Sequence, residues 1–250
     1  MLFAQGRTGS TLLGELLNSH PEIDFEHEIL NIDREWDDPY AYPYLYSLGR
    51  RKISDALSYG YHVKIYQLWQ DLDDSVPVGQ NSGESLPNHS TDPAGYLHQA
   101  HADGWNLVYL KRENLLRHAL SSIRAEASGE YHQRADEDED SPKSLNPVRV
   151  DPIDLIKKME WREEKLAQEQ EALSTLPHLE ISYGSDLVDE NRHQATAERI
   201  FRFLGLEANG IQVSTQLERI NQGSLPELIR NYDEVASSLE GTRFDRFLEK

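Results

Sequence analysis

Leu2-Phe3-Ala4-Gln5-Gly6-Arg7-Thr8-Gly9-Ser10-Thr11-Leu12-Leu13 is the stretch on which the reading of this chain turns. Met1 to Gln5 reads as a short buried strand. Gly6-Arg7-Thr8-Gly9-Ser10-Thr11 follows at once, and Leu12, Leu13, Leu16 and Leu17 then recur with helical spacing. Asn18-Ser19-His20-Pro21 stops that helix, because the residue before a proline is driven out of the helical region. A helix amino terminus offers unpaired N–H groups and a partial positive charge, so a strand–turn–helix of this kind is a natural oxyanion site. The small residues of the turn let the backbone approach an anion, and Arg7, Ser10 and Thr11 add donors. The nucleotide-binding signature G-x-x-x-x-G-K-[ST] is not met, since Ala4 stands where its first glycine belongs and Ser10 where its lysine belongs. The turn therefore suits an anion smaller than a triphosphate.

Working outward, Tyr61 to Tyr66, Asn106 to Leu110 and His178 to Ser182 are further strand candidates. The second runs through Lys111-Arg112 into a helix from Asn114 to about Ala127. Pro152 to Ser174 and Thr196 to Leu204 read as helices, the latter ended by Gly205. Strands alternating with helices predict a three-layer α/β/α fold with a central parallel sheet. Two stretches break the rhythm. Ser75 to Gly104 is rich in Pro, Gly, Asn and Ser, and Ser128 to Asp151 contains the acidic run Asp136-Glu137-Asp138-Glu139-Asp140. Both exceed the usual length of structureless loops and are expected to be lids or mobile segments, 75–104 and 128–151, of a single domain spanning 1–250.

Composition removes several function classes. Of 250 residues none is cysteine, which excludes disulfides, thiolate metal sites and a cysteine nucleophile. Lys and Arg number 25 against 44 Asp and Glu, a net charge of −19. Such a field repels nucleic acid and anionic membranes, so an anionic ligand needs a local cluster of donors. No apolar run reaches the roughly 18 residues of a membrane span, and no secretory leader is evident. The histidines form no metal-ligand motif. The expectation is an acidic cytoplasmic protein that needs no metal and binds no nucleic acid.

The segment Phe3 to Leu13 resembles the phosphosulfate-binding loop of sulfotransferases, enzymes that use 3′-phosphoadenosine 5′-phosphosulfate (PAPS) as donor and release 3′,5′-adenosine bisphosphate (PAP). The likeness is to the bacterial branch that includes the nodulation-factor and trehalose sulfotransferases. It implies that Arg7, Thr8, Gly9, Ser10 and Thr11 hold the 5′-phosphosulfate. A second motif, Tyr109-Leu-Lys-Arg-Glu-Asn-Leu-Leu-Arg-His-Ala-Leu-Ser121, is similar to the family's 3′-phosphate grip, which falls on Arg112 and Ser121. The arginine-to-serine interval is one residue longer than in the animal enzymes, so Ser122 or Arg117 could share the role. Ile181 to Leu187 resembles the family's Y-E-D-L segment and would set Tyr183 beside the adenine.

Sulfuryl transfer to a hydroxyl needs in-line placement, stabilisation of charge on the leaving phosphate, and a base for the acceptor proton. The resemblance places a glutamate base in Asp24-Phe-Glu-His-Glu-Ile-Leu30, with Glu28 first, Glu26 second and His27 third. Period-2 alternation sets Lys64 and Tyr66 on one strand face. The animal enzymes carry a lysine and a catalytic histidine in this arrangement; Tyr66 stands in the histidine's place, which favours the glutamate, while Lys64 could stabilise the bridging oxygen. The aromatic stretch Trp36, Tyr40, Tyr42, Tyr44 and Tyr46 is either core or a platform for the acceptor, a carbohydrate, lipid or small metabolite. A homodimer is compatible with the chain. The competing readings are an ATP-dependent small-molecule kinase of related fold and a catalytically inactive nucleotide-binding or interaction module.

Overall fold

Among the described residues five short strands, all parallel, form the sheet in the order β2-β3-β1-β4-β5. They are β1 (Leu2–Ala4), β2 (Ile23–Glu26), β3 (Ser58–Val63), β4 (Val108–Lys111) and β5 (Leu179–Ser182). The computed structural model describes residues 1–27, 58–68, 93–128, 147–217 and 223–248. These gather into two compact units, one of residues 1–111 and 168–213, the other of 112–167 and 214–250.

The first unit holds the sheet. Its centre is β1, which pairs Leu2 with His62 on one side and with Val108 on the other. Alternation then sorts the side chains. Leu2, Ala4, Val108, Leu110 and Ile181 face one way, where α1 (Ser10–Leu17) and α6 (His193–Phe203) cover them with Leu13, Leu16, Ile200 and Phe201. Phe3, Tyr61 and Tyr109 face the other way. There Tyr61 Oη shares a 2.6 Å hydrogen bond with Tyr96 Oη of α3 (Pro93–Ala102), and Tyr109 meets the carboxyl-terminal part of α5 (Pro152–Leu173). Helix, sheet and helix make the three layers, and both faces of the sheet are apolar because both are covered.

The second unit is helical. Leu116, Leu120, Leu155, Met159, Leu228 and Val235 close its core, drawn from α4 (Leu115–Ser128), the first part of α5, α7 (Leu225–Leu228) and α8 (Tyr232–Leu239). A parallel bridge between Val148 and Ile229 ties its two chain segments.

Three local readings are corrected. The strand expected over Tyr61–Tyr66 ends at Val63, and Tyr66 belongs to a helical turn, α2 (Ile65–Leu68). The reason is local: the Lys64 amide donates to Gln67 Oε1 at 2.8 Å and the Gln67 amide to the Lys64 carbonyl at 2.9 Å, which curls the chain. Ile23–Glu26, which overlaps the segment Asp24–Leu30 read for its base candidates and not as a strand, is an edge strand paired with β3. Within Ser75–Gly104, residues 93–102 form α3, held by the buried Leu97 and Ala100.

Candidate functional site

The order of the strands locates the site. From β1 the chain builds β2 and β3 on one side and β4 and β5 on the other, so the order reverses beside β1. Ligands of open parallel sheets bind outside the carboxyl ends of the strands at such a reversal. Residues 5–9 leave the carboxyl end of β1 there.

The turn is built by its own residues. Thr8 Oγ1 donates to the Gln5 carbonyl at 2.7 Å, and both side chains are buried. Arg7 has φ of 68° and, among the described residues, is the only non-glycine with positive φ. A left-handed non-glycine residue costs roughly 1–2 kcal/mol and persists only where its surroundings enforce it, a pattern typical of functional turns. Gly9 follows with φ 89° and ψ 18° and heads α1. The first intrahelical bond runs from the Leu13 amide to the Gly9 carbonyl at 2.9 Å, so the amides of Ser10, Thr11 and Leu12 have no intrahelical acceptor. Its N-cap, Gly9, has no side chain with which to cap the helix, and the first turn carries no acidic residue. In a chain of net charge −19, that is a locally cationic point.

Both glycines of the turn have a close aromatic neighbour, and at Gly9 the ring and the backbone conformation together require glycine. A Cβ on Gly6 would lie 2.8 Å from Tyr66 Oη, and one on Gly9 would lie 2.7 Å from Tyr183 Cδ2. The Gly6 amide donates to Tyr66 Oη at 3.2 Å, and Lys64 Nζ sits 5.9 Å from the centroid of the Tyr66 ring. Tyr183 opens a π-helical turn (Tyr183–Leu187) whose amino end is organised by Ser182 and Asp186, the Ser182 amide donating to Asp186 Oδ2 at 2.7 Å. The first unit therefore brings Arg7–Thr11, Lys64, Tyr66 and Tyr183 together. Lys64 and Tyr66 meet the turn even though they do not share a strand. Tyr183 lies against Gly9.

In the second unit Arg112 directly follows β4 in the chain and is 8% exposed, with Ser121 on α4 at 4%. Two neighbouring candidates each have a hydrogen-bond partner within this unit. Ser122 Oγ accepts from Arg162 Nη2 at 2.8 Å, and Arg117 Nη2 donates to the Gly223 carbonyl at 3.0 Å. Asn114 Oδ1 accepts from the Arg117 amide at 2.9 Å, fixing the start of α4.

Glu28 and the aromatic stretch from Trp36 to Tyr46 lie outside the described residues. Of the other base candidates, Glu26 Oε2 accepts from Tyr59 Oη at 2.9 Å, and the His27 ring stands edge-on to Phe25. Among the described residues no group of three or more His, Asp or Glu gathers as metal ligands would, and no helix is long and apolar enough to cross a membrane.

Nothing in the local sequence points to Tyr66 as a contact of Gly6 or to Glu169 as a neighbour of the turn. Glu169 Oε2 accepts from Gln5 Nε2 at 3.2 Å. A signal of its burial existed in α5. Leu155, Met159, Arg162, Glu169 and Leu173 recur at intervals of three, four and seven, which marks a carboxylate on the buried stripe.

No family model matches the chain, and no curated protein matches it. Among solved structures it is similar to a sulfotransferase from Alicyclobacillus acidocaldarius, at 15% identity and a TM-score of 0.48, over 96% of this chain and 93% of that one.

Proposed function

We propose that the chain is a PAPS-dependent sulfotransferase acting as one domain over residues 1–250, of the bacterial branch its first motif resembles. The observation that carries the reading is the Arg7–Thr11 turn. It offers a left-handed Gly9 at the head of a helix whose first turn carries no acidic residue, and at Gly9 the Tyr183 ring excludes any side chain larger than glycine's. That donor set fits an anion of phosphosulfate size.

In this reading Arg7, Thr8, Gly9, Ser10 and Thr11 hold the phosphosulfate end, Arg112 and Ser121 the 3′-phosphate, and Tyr183 the adenine. The donor supplies an activated sulfuryl group. Glu28 takes the acceptor's hydroxyl proton as the new O–S bond forms and the bond from sulfur to the phosphate oxygen breaks. The electron pair of the broken bond stays on the phosphate, where Lys64 and the α1 amides offset the developing charge. No metal is required for this. The acceptor is a carbohydrate, lipid or small metabolite hydroxyl, in a cytoplasmic setting, with a homodimer as the working assembly. The kinase alternative lacks a phosphate clamp, because Ser10 stands in the lysine's place.

Thermal unfolding with PAP, set against ATP plus magnesium, tests the reading. Ligand at about a hundred times its dissociation constant stabilises a fold by roughly 2.7 kcal/mol. In a chain this size that is a rise on the order of 5–10 °C. The expected result is a rise with PAP that Arg112→Ala abolishes. A rise with ATP alone would turn the reading to a kinase, and a rise with PAP without turnover on any hydroxyl acceptor would point to an inactive binding module.

A further inference from the structure

Glu169 is fully buried, at 0% exposure, 164 residues away in sequence from the turn it approaches. Its Oε2 accepts from Gln5 Nε2 at 3.2 Å and from Tyr109 Oη at 3.1 Å. Gln5 is the last residue before the anion turn, and its carbonyl accepts from Thr8 Oγ1 at 2.7 Å. Gln5, Thr8 and Tyr109 are themselves almost wholly buried. A buried polar chain therefore runs from α5 through Gln5 to Thr8. Its other arm reaches β4, where Tyr109 pairs with Phe3 of β1.

A buried carboxyl group is costly unless its oxygens are bonded, and the bonds from Gln5 and Tyr109 both fall on Oε2. The position on α5 lies on an apolar stripe that leucine would satisfy as a helix residue. What leucine cannot do is accept from Gln5. We propose that Glu169 is a positioning residue of the anion turn, setting the side chain of Gln5 and through its carbonyl the hydroxyl of Thr8. The inference rests on the turn being the donor site, and it assigns Glu169 no contact with the donor.

Amide hydrogen exchange of the ligand-free protein, followed on the peptide from Gln5 to Leu12, reads the position of the turn directly. Glu169→Leu raises exchange in that peptide by about tenfold while the α6 peptide is unchanged. Glu169→Gln keeps an acceptor oxygen and stays near wild type. Leu173→Ala, a buried cavity on the same helix, destabilises the unit without singling out the turn. Gln5→Leu cuts the same bond from the other end and gives the pattern of Glu169→Leu even if that variant folds poorly. Turn exchange that is unchanged in both leucine variants, or raised equally by Leu173→Ala, overturns the assignment. PAP affinity, measured in parallel, separates the two readings. A wild-type protein that does not bind PAP defeats the donor site, while the exchange data still decide whether Glu169 sets the turn.

Discussion

Replacing Gly9 with alanine sets two costs against the fold at one atom. Gly9 has φ of 89°, where a Cβ is disfavoured by roughly 1–2 kcal/mol. The same Cβ would stand 2.7 Å from Tyr183 Cδ2 and 2.9 Å from Cε2, with Leu187 Cδ1 at 3.4 Å. The ring must move, and overpacking of this kind costs roughly 1–3 kcal/mol. Together Gly9→Ala is expected to lose about 2–5 kcal/mol, on the order of 5–15 °C in Tm. The two costs separate in a double-mutant cycle. Tyr183→Ala removes the obstacle, so in its background Gly9→Ala costs only about 1–2 kcal/mol and the pair shows a coupling of about 1–3 kcal/mol. Urea unfolding of the four proteins measures all of these terms. Gly9→Ala within about 0.5 kcal/mol of wild type would refute the strained turn. A large loss with no coupling to Tyr183 would refute the packing of that ring on the turn.

Two further outcomes are expected. Glu28→Gln lowers turnover by about 10²–10⁴-fold with PAP affinity unchanged, and full turnover in that variant removes Glu28 as the base. At the start of α7, Glu227 Oε2 accepts from the Ser224 amide at 2.7 Å and from Ser224 Oγ at 2.9 Å, and these bonds hold its carboxyl below its ordinary value of 4.5. A depressed carboxyl contributes stability above its unfolded pKa and loses it as pH falls through the folded one. Glu227→Gln therefore lowers the melting temperature slightly at neutral pH, and the difference from wild type vanishes on acidification below the carboxylate range; a difference that grows in acid contradicts the cap.

What the chain itself determined was local. The turn after β1, the helix behind it and the long α5 were legible because their signals are near neighbours in sequence: a strand running into glycines, then leucines at helical spacing. The parallel three-layer class followed from alternating elements, each too apolar to stand uncovered. Arg7 and Gly9 could be picked out for the same reason, and Lys64 and Tyr183 by the resemblance of their segments to the family's motifs. Their meeting could not. Gly6 and Gly9 look like flexible turn residues in the sequence, yet each faces an aromatic ring contributed by a residue 60 or 174 positions further along the chain. The edge strand Ile23–Glu26 and helix α3 were missed because short segments owe their form to the partner that covers them, β3 in one case and the sheet face bearing Tyr61 in the other. Glu169 is the clearest instance. In sequence it is one glutamate among many on a charged helix, and only the fold buries it where Gln5 and Tyr109 donate to its carboxyl group. Residue type and spacing set which chemistry is available, while burial and long-range pairing set where it is aimed, since both depend on contacts that no local pattern records.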